Sequence, residues 1–72
     1  MNVKIGDHII RKAYGNFPEA VYTVLGIEPA EYAFLGSLYT LRADDGTALK
    51  LCTSELENNL ELWARRGGYE IR

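Results

Sequence analysis

Covalent or acid–base catalysis requires a nucleophile beside a base, two carboxylates in contrasting environments, or clustered metal ligands. This chain has one histidine, His8, and one cysteine, Cys52. His8 follows Asp7 where a strand would begin, a position that suits an exposed ring or a local turn hydrogen bond. Cys52 closes a strand with no neighbouring base to favour a reactive thiol, and it reads as a small packing residue. No phosphate loop, dinucleotide fingerprint or metal-ligand spacing occurs. The expectation is therefore no catalytic residue, no cofactor and no metal.

Aromatic side chains offer binding chemistry instead. Tyr14 and Phe17 flank Gly15-Asn16 in the first long loop, and Tyr32 and Phe34 lie in the 29–36 loop. Aromatic residues on loops bury a large area at low entropic cost, which makes them common interface anchors. With Trp63 they are the expected protein-contact residues. The alternative for Phe17 and Phe34 is that they fold back to plug the ends of a small barrel. Two basic doublets, Arg11-Lys12 and Arg65-Arg66, supply a second candidate surface. If the last strand lies beside the first, these four merge into one patch with Tyr14 and Tyr69 interleaved, which would suit nucleic acid. Glu55, Glu57 and Glu61 compete for those charges, and ten acids against eight bases leave a net charge of −2. A protein partner is accordingly the leading expectation and nucleic acid the second.

Short segments rich in Val, Ile, Leu, Tyr and Thr, separated by Gly, Pro, Asn and Asp, must position these residues. That pattern predicts an all-β chain with strands at 8–13, 20–28, 37–43 and 48–52. In the second strand, Tyr22 and Val24 share a face, and Ile27 joins them only if one residue is extra; Gly26 is the natural place for such a bulge. The turn between strands three and four can be fixed by phase. A two-residue loop would set Leu41 against Lys50, whereas Asp44-Asp45-Gly46 as a three-residue loop sets Leu41 against Leu49 and Tyr39 against Leu51. The three-residue loop is expected.

The C-terminal third has two readings. Ser54 with Glu57 fits a capping box, after which Leu56, Leu60, Trp63 and Ala64 recur at helical spacing as far as Arg66. Alternatively a single helical turn over 54–57 stops at Asn58-Asn59, and a strand from Leu60 reaches a hairpin at Gly67-Gly68 that sets Arg66 against Tyr69 and Ala64 against Ile71. The second is preferred, because consecutive Asn residues weaken a short helix. It turns Trp63 outward. The expected core is Ile5, Ile9, Tyr22, Val24, Ile27, Tyr39, Leu41, Leu49, Leu51, Leu56, Leu60 and Leu62.

Gly6-Asp7 before a strand, a turn-rich loop, a bulged strand, an Asp-Asp-Gly hairpin and a Ser-Glu-Leu turn before the last strand together resemble the small SH3-like barrel superfamily, which includes Tudor-like and KOW-type domains. The stretch from Gly6-Asp7-His8-Ile9 to Val24-Leu25-Gly26-Ile27 is similar to the KOW pattern, departing from it at Pro18-Glu19. A Gly-Asp lead followed by the basic pair Arg11-Lys12 is also similar to plasmid-borne type II dihydrofolate reductases. Their pore-lining Val-Gln-Ile-Tyr segment is matched here only by Leu49-Lys50-Leu51-Cys52, so the active site does not carry over. The resemblance implies a five- or six-stranded SH3-like barrel with one short helical turn before the last strand. It further implies binding through the loops and the turn before that strand, in an accessory protein of prokaryotes or their mobile elements.

Length and composition set the remaining bounds. Seventy-two residues, 47% of them apolar and 25% charged, suit one globular domain over 1–72. The apolar runs are too short to span a membrane, and the N-terminal residues lack the pattern of a signal peptide. A lone cysteine points to a reducing, cytoplasmic setting. A core this small nets roughly 3–5 kcal/mol without a staple, so self-association is a second way to gain buried area. An oligomer could also build a ligand or enzyme site at its interface.

Overall fold

Alternating apolar and polar side chains decide the sheet, and the hairpin of β3 (Ser37–Ala43) and β4 (Ala48–Cys52) follows that alternation over Tyr39, Thr40, Leu41 and Arg42 and over Leu49, Lys50 and Leu51. The structure, a computed structural model, describes residues 3–72. Leu41 lies opposite Leu49 and Tyr39 opposite Leu51, while Arg42 faces Ala48 and Thr40 faces Lys50. The Ala43 N–H donates to the Thr47 carbonyl at 2.8 Å, which makes Asp44, Asp45 and Gly46 the three-residue loop. Met1 and Asn2, the first residues of the segment expected to carry no leader, lie outside the described residues.

β2 (Ala20–Pro29) pairs with β3 through a register shift between Val24 and Gly26. Leu25 is the extra residue, so Tyr22, Val24 and Ile27 share the core face as the spacing predicts. β1 (His8–Arg11) pairs antiparallel with β2, setting Ile9 against Tyr22. On its other edge β1 pairs antiparallel with β5 (Tyr69–Ile71), setting Arg11 against Tyr69. The described residues thus form one five-stranded sheet in the order β4-β3-β2-β1-β5. A 3-10 turn, Ala33–Leu35, sits in the β2–β3 connection.

The C-terminal third overturns the preferred reading. In place of one helical turn and a strand, α1 runs through thirteen residues, Thr53–Arg65. Its capping box lies two residues earlier than expected. Cys52 is the N-cap: its N–H donates to Glu55 Oε1 at 2.9 Å and its sulfur receives the Glu55 N–H. Packing explains why Asn58 and Asn59 do not stop the helix. Each Asn costs up to about 0.7 kcal/mol in helix propensity. Burying Leu56 and Leu60 on the sheet returns roughly 1.5–3 kcal/mol apiece. The hairpin at Gly67-Gly68 with Arg66 against Tyr69 does not form.

Val3, Ile9, Val24, Tyr39, Leu41, Leu56 and Leu60 are buried together between sheet and helix, with Tyr22, Ile27, Leu49, Leu51, Trp63 and Tyr69 packed against them. Two expected core residues are at the surface. Ile5 occupies a tight turn closed by the Asp7 N–H on the Lys4 carbonyl, and is 63% exposed while Val3 enters the core. Leu62 shares a face with Leu60 on a strand, but on a helix the two point about 200° apart, and Leu62 is exposed. Leu60→Ala should therefore lose about 2–5 kcal/mol in denaturant unfolding, enough to leave so small a domain largely unfolded. Leu62→Ala should change stability by less than about 1 kcal/mol. Equal losses would contradict this placement of the helix.

Candidate functional site

Beyond Arg11 the chain leaves the sheet, but its N–H groups remain engaged. Lys12 N–H donates to the Gly68 carbonyl at 3.0 Å, and Tyr14 and Phe17 exchange both backbone hydrogen bonds across Gly15-Asn16, at 3.0 and 2.9 Å. This two-residue turn holds the rings of Tyr14 and Phe17 at the tip of the loop, where they are 50% and 62% exposed. Arg11 Nη2 donates to the Pro18 carbonyl at 3.0 Å and ties down the returning limb.

The C-terminal end of α1 faces this loop. Trp63 stacks on Tyr22 at the edge of the core, with ring centroids 5.3 Å apart and planes within 12°. The Trp63 carbonyl accepts from the N–H groups of Arg66, at 3.0 Å, and Gly68, at 2.8 Å, a Schellman-type ending that turns the chain sharply at Gly67. Gly67 has φ +122°, and a Cβ there would lie 2.9 Å from the Ala13 carbonyl oxygen. Only glycine lets the helix end come this close to the β1–β2 loop.

Between the two lies a cleft of about 100 Å3, lined by Arg11, Lys12, Tyr14, Phe17, Trp63 and Arg66. It unites six of the nine residues singled out in the sequence, drawn from both the aromatic and the basic sets. Trp63 is neither on a strand nor fully outward: it belongs to a helix, stacked on Tyr22 at the margin of the core and bordering the cleft. The other three lie elsewhere. Tyr32 and Phe34 stack on each other, centroids 5.7 Å apart, in the β2–β3 connection at the far end of the ten-residue strand β2. Arg65 pairs with Glu61 one turn earlier on α1. Tyr69, expected among the nucleic-acid contacts, packs against the core. The alternation of β2 places Tyr22 in the core; its use as a platform for Trp63 follows only from the helical spacing of Leu56, Leu60 and Trp63.

Among the described residues, none that lines the cleft is acidic. Lys12 Nζ lies 3.1 Å from Glu70 Oε1, and Arg72 Nη2 lies 2.6 Å from Glu70 Oε2. The hydrogen bond from Lys12, and then the charge of Arg72, holds the Glu70 carboxyl below the ordinary glutamate range. Arg11 and Arg66 take part in no ion pair among the described residues. The cleft therefore combines apolar aromatic walls with two cations that lack carboxylate partners. His8 Nδ1 lies 3.1 Å from Thr23 Oγ1, and Cys52 is buried at the helix cap. Among the described residues no group of three or more His, Cys, Asp and Glu could share a metal ion, and no helix is long and apolar enough to cross a membrane. Comparisons with protein-family models, with curated proteins and with solved structures return no match to the chain.

Two measurements check this geometry. Gly67→Ala should lose about 1–2 kcal/mol from its positive φ, plus a further loss from the contact with the Ala13 carbonyl. Gly68→Ala, also at positive φ but with open space at its Cβ, should lose only the first part. Equal losses would place the helix end away from the loop. In a carbon-detected NMR titration, Glu70 should have its midpoint below the 4.3 or so of model peptides, and Lys12→Met should raise it. Because the folded pKa is the lower one, the stability that Glu70 contributes is complete above the ordinary glutamate range and is lost as pH falls through the folded value.

Proposed function

We propose that this chain is a small non-enzymatic binding module that engages a protein partner through the cleft between the β1–β2 loop and the end of α1. One observation carries the reading: Tyr14 and Phe17 from the first long loop and Trp63 from the end of α1, candidates from two distant places in the sequence, border a single cleft with Arg11, Lys12 and Arg66. Exposed aromatics next to arginine are the side chains that dominate interface energetics, because they bury area and donate planar hydrogen bonds together. The strand order β4-β3-β2-β1-β5, with the last strand returning to pair with the first, supports the resemblance to SH3-like barrels. Such barrels bind through the long loop after the first strand and the segment before the last, the two parts that form this cleft. A free buried thiol at Cys52 fits a reducing, cytoplasmic setting.

The second reading is nucleic acid, favoured by cations and stackable rings in one place. Two of the four expected basic residues weigh against it, since Lys12 is drawn to Glu70 and Arg65 to Glu61. The net charge of −2 gives no long-range attraction for a polyanion either.

An affinity pull-down from lysate of cells that express the chain, with and without nuclease, separates the two. A stoichiometric protein should survive nuclease, fall about tenfold or more with Phe17→Ala, and persist with Phe34→Ala. Capture abolished by nuclease, or unchanged by Phe17→Ala, would contradict the proposal.

A further inference from the structure

The cleft's size and charge together narrow what it can hold. A cavity of about 150 Å3 admits a benzene ring, and small-molecule sites start at about 300 Å3. At about 100 Å3 the present cleft accepts one aliphatic side chain more readily than a nucleobase or a cofactor. Its aromatic walls would desolvate part of such a side chain. The charge at its rim is of one sign, because among the described residues Arg11 and Arg66 have no carboxylate partner and no acid lines the cleft. Guanidinium groups recognise carboxylates through paired, planar hydrogen bonds, and such contacts strengthen beside low-dielectric aromatic surface. Basic charge other than that of Arg11 and Arg66 is offset, since Lys12 within the cleft is shared with Glu70 and Arg65 outside it is turned to Glu61. That limits the complementary anion to a short segment rather than an extended phosphate backbone.

We propose that the cleft recognises an acidic peptide segment of a partner protein, in which an aliphatic residue seats among Tyr14, Phe17 and Trp63 while flanking Asp or Glu side chains engage Arg11 and Arg66. This rests on the reading of the chain as a protein-binding module and specifies what that module reads. Affinity should come from the anchor and the charges together, so neither alone would suffice. Raised salt should weaken the contact moderately, because one or two charges are involved and not a long run.

The test uses a random dodecapeptide library displayed on phage, selected against the intact chain, Phe17→Ala and Arg66→Met in parallel, with labelled oligo-dT as a separate probe. Arg66 sits at the helix C-cap, and among the described residues its side chain makes no hydrogen bond, so its variant should fold, whereas Arg11→Met removes the Pro18 contact. Peptides enriched by the intact chain should carry Leu, Ile or Val flanked by Asp or Glu. The enriched peptides should bind Phe17→Ala and Arg66→Met about tenfold more weakly, as should versions with Asn and Gln in place of the acids. Enrichment of sequences without acids, equal binding by Arg66→Met, tighter binding of oligo-dT, or no enrichment at all would each overturn the inference. A pull-down partner lost with Phe17→Ala yet kept by Arg66→Met would overturn the acidic segment while leaving the binding module in place. A chain with no Phe17-dependent partner would remove both.

Discussion

The chain reversal at Arg66, Gly67 and Gly68 holds the rest of the architecture together. The Trp63 carbonyl accepts two N–H groups, and the Gly68 carbonyl then accepts the Lys12 N–H. Within three residues, therefore, the helix ends, the last strand begins, and that strand is anchored to the first. The same reversal places Trp63 and Arg66 against the β1–β2 loop, so the condition for closing β5 onto β1 is also the condition for forming the cleft. Gly67, pressed against Ala13, lets both happen at once.

Helix and sheet support each other energetically. Alone, thirteen residues with two Asn in sequence would be marginally helical. Leu56 and Leu60 pack on a sheet whose bulge at Leu25 keeps Tyr22, Val24 and Ile27 on one face. Tyr22 then supplies the platform on which Trp63 lies, joining the core to the cleft through one stacked pair. A side chain entering the cleft would thus rest on parts fixed by core packing, with only Tyr14 and Phe17 free at the loop tip. Pre-ordering of this kind lowers the entropy lost on binding.

Strand content, the bulge and the three-residue hairpin were legible in the sequence because each depends on local alternation and on a turn residue. Leu41 opposite Leu49 has a single sensible register, and Gly46 completes it. The helix was harder to read because two local rules conflicted. Asn58-Asn59 argued for a stop, whereas the spacing of Leu56, Leu60 and Trp63 argued for continuation, and tertiary burial decided between them. The cap moved from Ser54 to Cys52 because the strand runs to Cys52 and the helix follows without a linker. Of the candidate site, residue types could be chosen from sequence, but their grouping could not. Tyr14 and Phe17 join Trp63 rather than Tyr32 and Phe34 because β2 separates its two end loops by ten residues, and nothing local encodes that separation.

The most direct test of the account is site-specific photo-crosslinking in cells that express the chain, with benzoylphenylalanine replacing Phe17 in one variant and Phe34 in another. Both positions are exposed and aromatic, so the substitution is comparable at each. Position 17 should give a discrete protein adduct and position 34 none. Adducts from position 34 with none from position 17 would contradict this, moving the binding surface to the β2–β3 connection.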